Sequence, residues 1–155
     1  MLISVTGTPG TGKTKLAKLL SRRLGIAYVD LNHLVKKYQL HDGFDRRKKS
    51  YIVDPPKMVR FLKKKGFLSE AGVLDSHLSH EIPPHSIDIC IVTTCELKEL
   101  ARRLKKRGYS KKKVRENLDA EIFQVCAFEA KEKGHRVLKV DTTQGIKIDA
   151  VLRKL

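Results

Sequence analysis

The chain has 155 residues, 33 of them Lys or Arg and 17 Asp or Glu, for a formal net charge of +16 at pH 7. That length suits one domain with a real hydrophobic core, and the charge excludes an indifferent surface, predicting attraction to polyanions such as nucleotides, RNA, DNA or an acidic protein. No apolar run approaches a membrane span, MLISVTGTPG lacks a signal-peptide pattern, and Cys90, Cys95 and Cys126 are too few for a disulfide framework, so a reducing, cytoplasmic location is expected.

Residues 2–6 form an apolar, β-branched run closed by Gly7, the pattern of a buried strand. Residues 7–12 are glycine-rich and hold Pro9, which excludes regular structure. From 13 to 24, Leu16, Ala17, Leu19, Leu20 and Leu24 recur at helical spacing, and Gly25 stops the helix. A short strand at 27–30 follows, then a polar, irregular stretch over 32–53 with a turn at Asp42-Gly43 and a basic run from Arg46 to Lys49. A helix is expected after Pro55-Pro56 up to Gly66, strands at 72–75 and 87–93, and a helix at 97–107 ending at Gly108. One long helix is expected over 111–133, with Val114, Leu118, Ile122, Val125 and Ala130 on its apolar face; a strand at 137–140 and a helix at 146–155 complete the chain. Apolar strands alternating with helices predict an α/β fold, a parallel sheet covered by helices on both faces.

Gly7-Thr8-Pro9-Gly10-Thr11-Gly12-Lys13-Thr14 matches the P-loop pattern in full, and its place between a strand and an amphipathic helix is the context that pattern requires. Glycines let backbone N–H groups converge on phosphate oxygens, and the helix aims its positive dipole end at the same anion. Lys13 would reach the β- and γ-phosphates of ATP, and the Thr14 hydroxyl would ligate Mg²⁺. Asp75 ends an apolar strand on the edge where open parallel sheets bind ligands, which makes it the second Mg²⁺ anchor. His77, two residues on, could orient or deprotonate an attacking water or hydroxyl. His77, His80, His85, Cys90 and Cys95 match no common closed zinc spacing. The cysteines read as core or partly buried residues. Residues 98–115 hold ten Lys or Arg against Glu99 alone. Cations at a helix end complement its dipole, and one or two arginines could clamp a transferring phosphoryl group.

Beyond the P-loop, Gln39-Leu40-His41-Asp42-Gly43-Phe44-Asp45, Asp75-Ser76-His77, Arg107-Gly108-Tyr109 and Glu121-Ile122-Phe123-Gln124-Val125 occur in an order that resembles the small nuclear adenylate kinase family, adenylate kinase isoenzyme 6, over nearly the whole chain. The resemblance implies a P-loop nucleoside-monophosphate-kinase fold in a single domain, 1–155, with a five-stranded parallel sheet. It implies a monophosphate-binding segment at about 30–53 and a lid at about 106–116. It also implies ATP contacts from Gly10, Gly12, Lys13, Thr14, Lys15 and Arg107, and an Asp75-x-His77 pair associated with ATP hydrolysis. Lys15 replaces a common Thr, and Lys36 stands where an Arg often binds the monophosphate, supplying charge without a bidentate fork. The expected activity is transfer from ATP to AMP, giving two ADP, with Mg²⁺-dependent ATPase activity in small ribosomal subunit maturation. The alternative is an ATPase assembly factor that binds a small-subunit platform ribosomal protein and pre-rRNA with little AMP kinase activity. One ATP needs far less positive charge than the chain carries, and the excess favours a second, larger polyanion, rRNA first.

Overall fold

The structure, a computed structural model, describes residues 1–47 and 50–155. Lys48 and Lys49, half of the basic run expected at 46–49, lie outside the described residues. The core is a five-stranded parallel sheet of order β2-β5-β1-β6-β7, where β1 is Leu2–Gly7, β2 Ala27–Asp30, β5 Gly72–Asp75, β6 Ile89–Thr94 and β7 Val137–Asp141. Helix α1 (Lys13–Leu24) follows β1, α3 (Pro55–Lys64) precedes β5, α4 (Leu97–Lys106) follows β6 and α7 (Ile148–Leu152) ends the chain. This is the predicted α/β architecture.

The strand period of two divides the core between the faces. Ile3, Val5, Val73, Ile89, Ile91 and Val140 pack with Leu16, Ala17 and Leu20 of α1 and Val151 of α7. Leu2 and Leu74 point the other way, into a layer with Leu31 and Val35 of α2 (Leu31–Lys37) and Met58 and Leu62 of α3. The central strands β1, β5 and β6 are buried on both faces, which is why they read as continuous apolar runs. Truncating a fully buried side chain such as Leu16 or Leu20 would cost roughly 2–5 kcal/mol.

Within the stretch expected to be irregular over 32–53, the described residues form regular elements. Asp30 caps α2 by accepting from the His33 amide at 3.0 Å, and β3 (His41–Asp45) pairs antiparallel with β4 (Ser50–Val53). Tyr51 stacks on His41 and meets Phe44 edge-on, with centroids 4.3 and 5.2 Å apart. Helix α3 begins at Pro55, one of two prolines in its first turn, because Asp54 caps it at the Lys57 amide, 3.1 Å away.

The long helix expected over 111–133 is two helices, α5 (Lys111–Ile122) and α6 (Val125–Glu132), parted at Gln124 with φ 49°. Its two halves have different partners. Val114 and Leu118 pack with Leu100 and Leu104 of α4, whereas Ala127 and Ala130 pack on Cys90 and Val92 of β6. A straight axis cannot serve both surfaces, and the Lys139 ammonium binds the Gln124 side chain at the break. Among the described residues no helix is long and apolar enough to cross a membrane.

Candidate active site

The P-loop leaves β1 at its carboxyl end and enters α1 at Gly12, whose φ is 88°. Two of its glycines are demanded by close approach. A Cβ on Gly7 would come within 2.5 Å of the Thr93 hydroxyl and 2.6 Å of its carbonyl, and one on Gly10 would reach Leu100 at 2.9 Å. The loop is cross-braced from within and from neighbouring strands. The Thr11 amide and hydroxyl donate to the Thr8 carbonyl at 3.2 and 2.7 Å, the Thr11 and Thr93 hydroxyls share a bond of 2.7 Å, and Thr142 donates to the Thr11 carbonyl at 2.7 Å. A cradle held this firmly meets an anion with little reorganisation.

Lys13 folds back over the loop, its ammonium donating to the Thr8 carbonyl at 3.2 Å. Burial of its charged end lowers its pKa to about 8; Cys126, Asp75 and Glu121 oppose that shift, and the Arg107 guanidinium adds to it. Asp75 ends β5, in register with Val5 of β1, and its side chain is almost wholly buried. The Tyr28 hydroxyl of β2 donates to Asp75 Oδ2 at 2.9 Å and also meets Thr14, so it joins the two residues expected at Mg²⁺. Burial first, and Asp75 second, raise the Tyr28 pKa, keeping the phenol a donor. Thr14 is exposed. Among the described residues no group of three His, Cys, Asp or Glu is gathered for a metal. A hydroxyl and one carboxylate fit Mg²⁺, which commonly takes one or two protein oxygens and completes its shell with phosphates and water.

His77 stands on the loop after β5 and is exposed. Partial loss of solvation, then the charges of Lys13 and His80, lowers its pKa to about 4, so at neutral pH it is an uncharged imidazole able to accept a proton. Its carbonyl is tied to the Thr6 hydroxyl at 3.1 Å, while Ser76 reaches Asn32 at 3.2 Å and Ser79 reaches the Val5 carbonyl at 3.0 Å. Arg107, at the end of α4, is exposed and close enough to Lys13 to affect its titration. The structure thus brings Lys13, Thr14, Asp75, His77 and Arg107 to one sheet edge. Lys15 is exposed on α1 and Lys36 is exposed on α2. Cys90 and Cys95 are buried and Cys126 is half-buried, as expected.

Three residues carry more than their sequence positions suggested. Arg103 does not join the solvated cations around it. Its guanidinium donates to the Thr142 hydroxyl at 3.0 Å, the Thr142 carbonyl at 2.8 Å and the Thr143 carbonyl at 3.3 Å, leans on the Gly10 carbonyl at 3.4 Å, and pairs with Glu99 at 2.8 Å. It staples α4 to the P-loop and to the turn after β7. Glu121 of α5 accepts from the Thr8 hydroxyl at 2.7 Å with one oxygen and from the Cys95 amide at 3.0 Å with the other, locking α5 onto the P-loop. Tyr28 is the third. Only Glu121 left a sequence signal, inside the family-like Glu121–Val125 stretch; Arg103 was hidden among basic neighbours and Tyr28 within a strand.

The chain is similar to several known proteins. A family model described as AAA domain matches residues 3–124. A Methanocaldococcus jannaschii protein named "Putative adenylate kinase" is 43% identical over 143 residues, covering 92% of this chain and 77% of that one. A Thermococcus onnurineus protein of the same name is 45% identical over 144 residues, covering 92% and 76%. In fold, the chain resembles shikimate kinase from Acinetobacter baumannii (TM-score 0.60, 15% identity, 99% and 89% of the two chains). It also resembles deoxyadenosine kinase from M. mycoides (TM-score 0.61, 19% identity, 99% and 98%). With that model spanning most of its length and such identity over nine-tenths of it, the chain belongs to the AAA-domain family of P-loop proteins that these archaeal relatives represent.

Proposed function

We propose that this protein is a phosphotransferase that moves the γ-phosphoryl group of ATP to a nucleoside monophosphate, AMP first, yielding two nucleoside diphosphates. The observation that carries the reading is the braced P-loop with Lys13 folded into it and Asp75 and His77 on the same sheet edge. The names of the archaeal relatives support adenylate as the substrate. The backbone of Gly10 and Gly12, with Lys13, would cradle the β- and γ-phosphates, the Lys15 amide would add a donor, and Arg107 would cover them. Thr14 and Asp75 would hold Mg²⁺, which supplies charge neutralisation on the phosphates. The chain's own work is positioning and charge stabilisation. The stretch at about 30–53, with the β3–β4 hairpin, would bind the monophosphate, and the stretch at about 106–116 would close as a lid and exclude water.

A second reading is favoured by one observation. Lys105, Lys106, Arg107, Lys111, Lys112 and Arg115 are all exposed, far more cation than one nucleotide requires. In this reading the chain resembles adenylate kinase isoenzyme 6 in role as well as sequence. It is an ATPase assembly factor in small-subunit maturation, contacting a platform ribosomal protein and rRNA, with neutral His77 directing a water at ATP.

Product analysis with ATP and Mg²⁺, with and without AMP, separates the two. ADP formation that depends strongly on AMP supports the kinase, and an equal rate without AMP supports the ATPase. Lys13→Ala abolishes both; unchanged turnover in that variant rejects the site.

A further inference from the structure

Behind the P-loop lies a buried relay that ends on the His77 backbone. Thr6 of β1 is fully buried, and its hydroxyl donates to the His77 carbonyl at 3.1 Å while standing 3.0 Å from His80 Nδ1. A hydroxyl has one hydrogen, and a carbonyl has none to give. With that hydrogen spent on His77, the contact between Thr6 and His80 requires a proton on Nδ1. On the opposite side of the ring, Nε2 lies 2.9 Å from a Glu129 carboxylate oxygen of α6, which only accepts. With both ring nitrogens protonated every one of these contacts is satisfied; with the ring neutral, Nδ1 must accept and the Thr6 hydroxyl can serve only one of its two acceptors, in a nearly solvent-free place.

Burial is the strongest influence on the charge of the protonated ring and pulls the His80 pKa below the ordinary histidine value; Glu129 and Glu81 oppose the shift, and Lys133, itself paired with Glu81 at 2.9 Å, adds to it. His77 lies within electrostatic reach of His80. The half-buried Cys126 thiol of α6 meets the Thr6 hydroxyl. From the segment before β7, His135 donates to the His80 carbonyl at 2.9 Å and fixes the turn Ser79–Glu81 that carries it. If His80 loses its Nδ1 proton, that nitrogen becomes an acceptor. The Thr6 hydroxyl can then satisfy it only by turning away from the His77 carbonyl.

We propose that Thr6 and His80 are positioning residues for His77, protonation of the His80 ring deciding whether the Thr6 hydroxyl is held on the His77 carbonyl and so setting the geometry of the Asp75–His77 loop. The inference rests on the reading above that His77 acts at the phosphoryl centre. Its physical core, the link between the His80 proton and the His77 backbone, is measurable without turnover.

In isotope-labelled protein, NMR follows the His80 ring nitrogens and the His77 carbonyl carbon through a pH titration, with His80→Gln to assign the ring. The two signals are expected to change with one midpoint in the wild type. In Thr6→Val the His77 signal is expected to stay flat, and in Glu129→Gln the midpoint falls, because a neutral amide no longer favours the cation. A His77 carbonyl that does not follow His80 overturns the proposal. In kinetics, below the midpoint Thr6→Val is expected to lower kcat about fivefold, the equivalent of one hydrogen bond. KM for ATP stays near wild type, Thr6→Ser retains most of the rate, and wild type and Thr6→Val converge above the midpoint. A ratio of rates independent of pH, or equal losses in Thr6→Ser and Thr6→Val, also overturns it. Wild-type protein without turnover would reject the functional reading, and the NMR titration would still decide the relay.

Discussion

Lys13 is the group on which function and stability make opposite demands. Replacing it with Met keeps the aliphatic stem, removes the charge and leaves the Thr8 carbonyl its two donors from Thr11. In the nucleotide-free protein the Lys13 pKa falls from 10.5 to about 8. At about 1.4 kcal/mol per pKa unit that is a cost of roughly 3 kcal/mol for holding the ammonium there at neutral pH. The side chain is only half-buried in an open site, which brings the net expectation to about 1–2 kcal/mol. The sign follows from proton counting. Between about pH 8 and 10.5 the unfolded chain still binds a proton that the folded chain has released, so folded stability rises with pH through that window, and the full cost persists below it. Urea unfolding of nucleotide-free protein is therefore expected to show Lys13→Met more stable than wild type at pH 7. The gap should narrow toward pH 10, and the variant should have lost phosphoryl transfer. A variant no more stable than wild type at pH 7, or a gap that ignores pH, would refute the reasoning.

Arg103→Ala is expected to lower unfolding free energy by about 1–3 kcal/mol, since charge-assisted bonds to the turn after β7 disappear. Arg103→Lys should recover only part, because an ammonium cannot span the same acceptors; full recovery in urea melts would show that charge alone suffices. Glu121→Ala leaves the Cys95 amide without its side-chain acceptor and frees α5 from Thr8. A loss of about 1–3 kcal/mol with weaker nucleotide binding by calorimetry is expected, and unchanged affinity would remove the link to the P-loop. Tyr28→Phe keeps the ring and deletes the donor to Asp75. Mn²⁺ binding to the complex with a non-hydrolysable ATP analogue, followed by electron paramagnetic resonance, should weaken about two- to fivefold, and unchanged or tighter binding rejects a positioning role for the hydroxyl.

Much of the site was legible in one dimension because its chemistry is local. A P-loop is a contiguous strand, turn and helix start, so Gly7 to Thr14 are recognisable together in sequence, although Thr93, Glu121 and Thr142 brace them from elsewhere in the chain. Asp75 was legible because an acid at the end of a buried parallel strand has one edge to occupy. The alternation of apolar strands with helices likewise determined the layered sheet, since period-two and period-3.6 burial are properties of the chain itself. The β3–β4 hairpin escaped because its strands are short, polar and half-exposed, held by rings that meet only when the hairpin closes. The break at Gln124 escaped because its cause is that α5 and α6 pack on different neighbours.

The tertiary structure alone decided which side chains serve the site from a distance. Arg103 and Arg107 lie one helical turn apart among similar cations, yet one is a staple and the other is exposed within electrostatic reach of Lys13. Thr6, His80 and Glu129 are separated by up to 123 residues along the chain and form a relay only because β1, the turn after β5 and α6 converge behind the P-loop. By itself, the sequence determined the phosphate-binding strand–turn–helix, the parallel sheet and the large excess of positive charge. The fold decided how that charge is spent and which buried hydrogen bonds hold the reacting groups, because hydrogen bonds act over about 3 Å of space and are indifferent to distance along the chain.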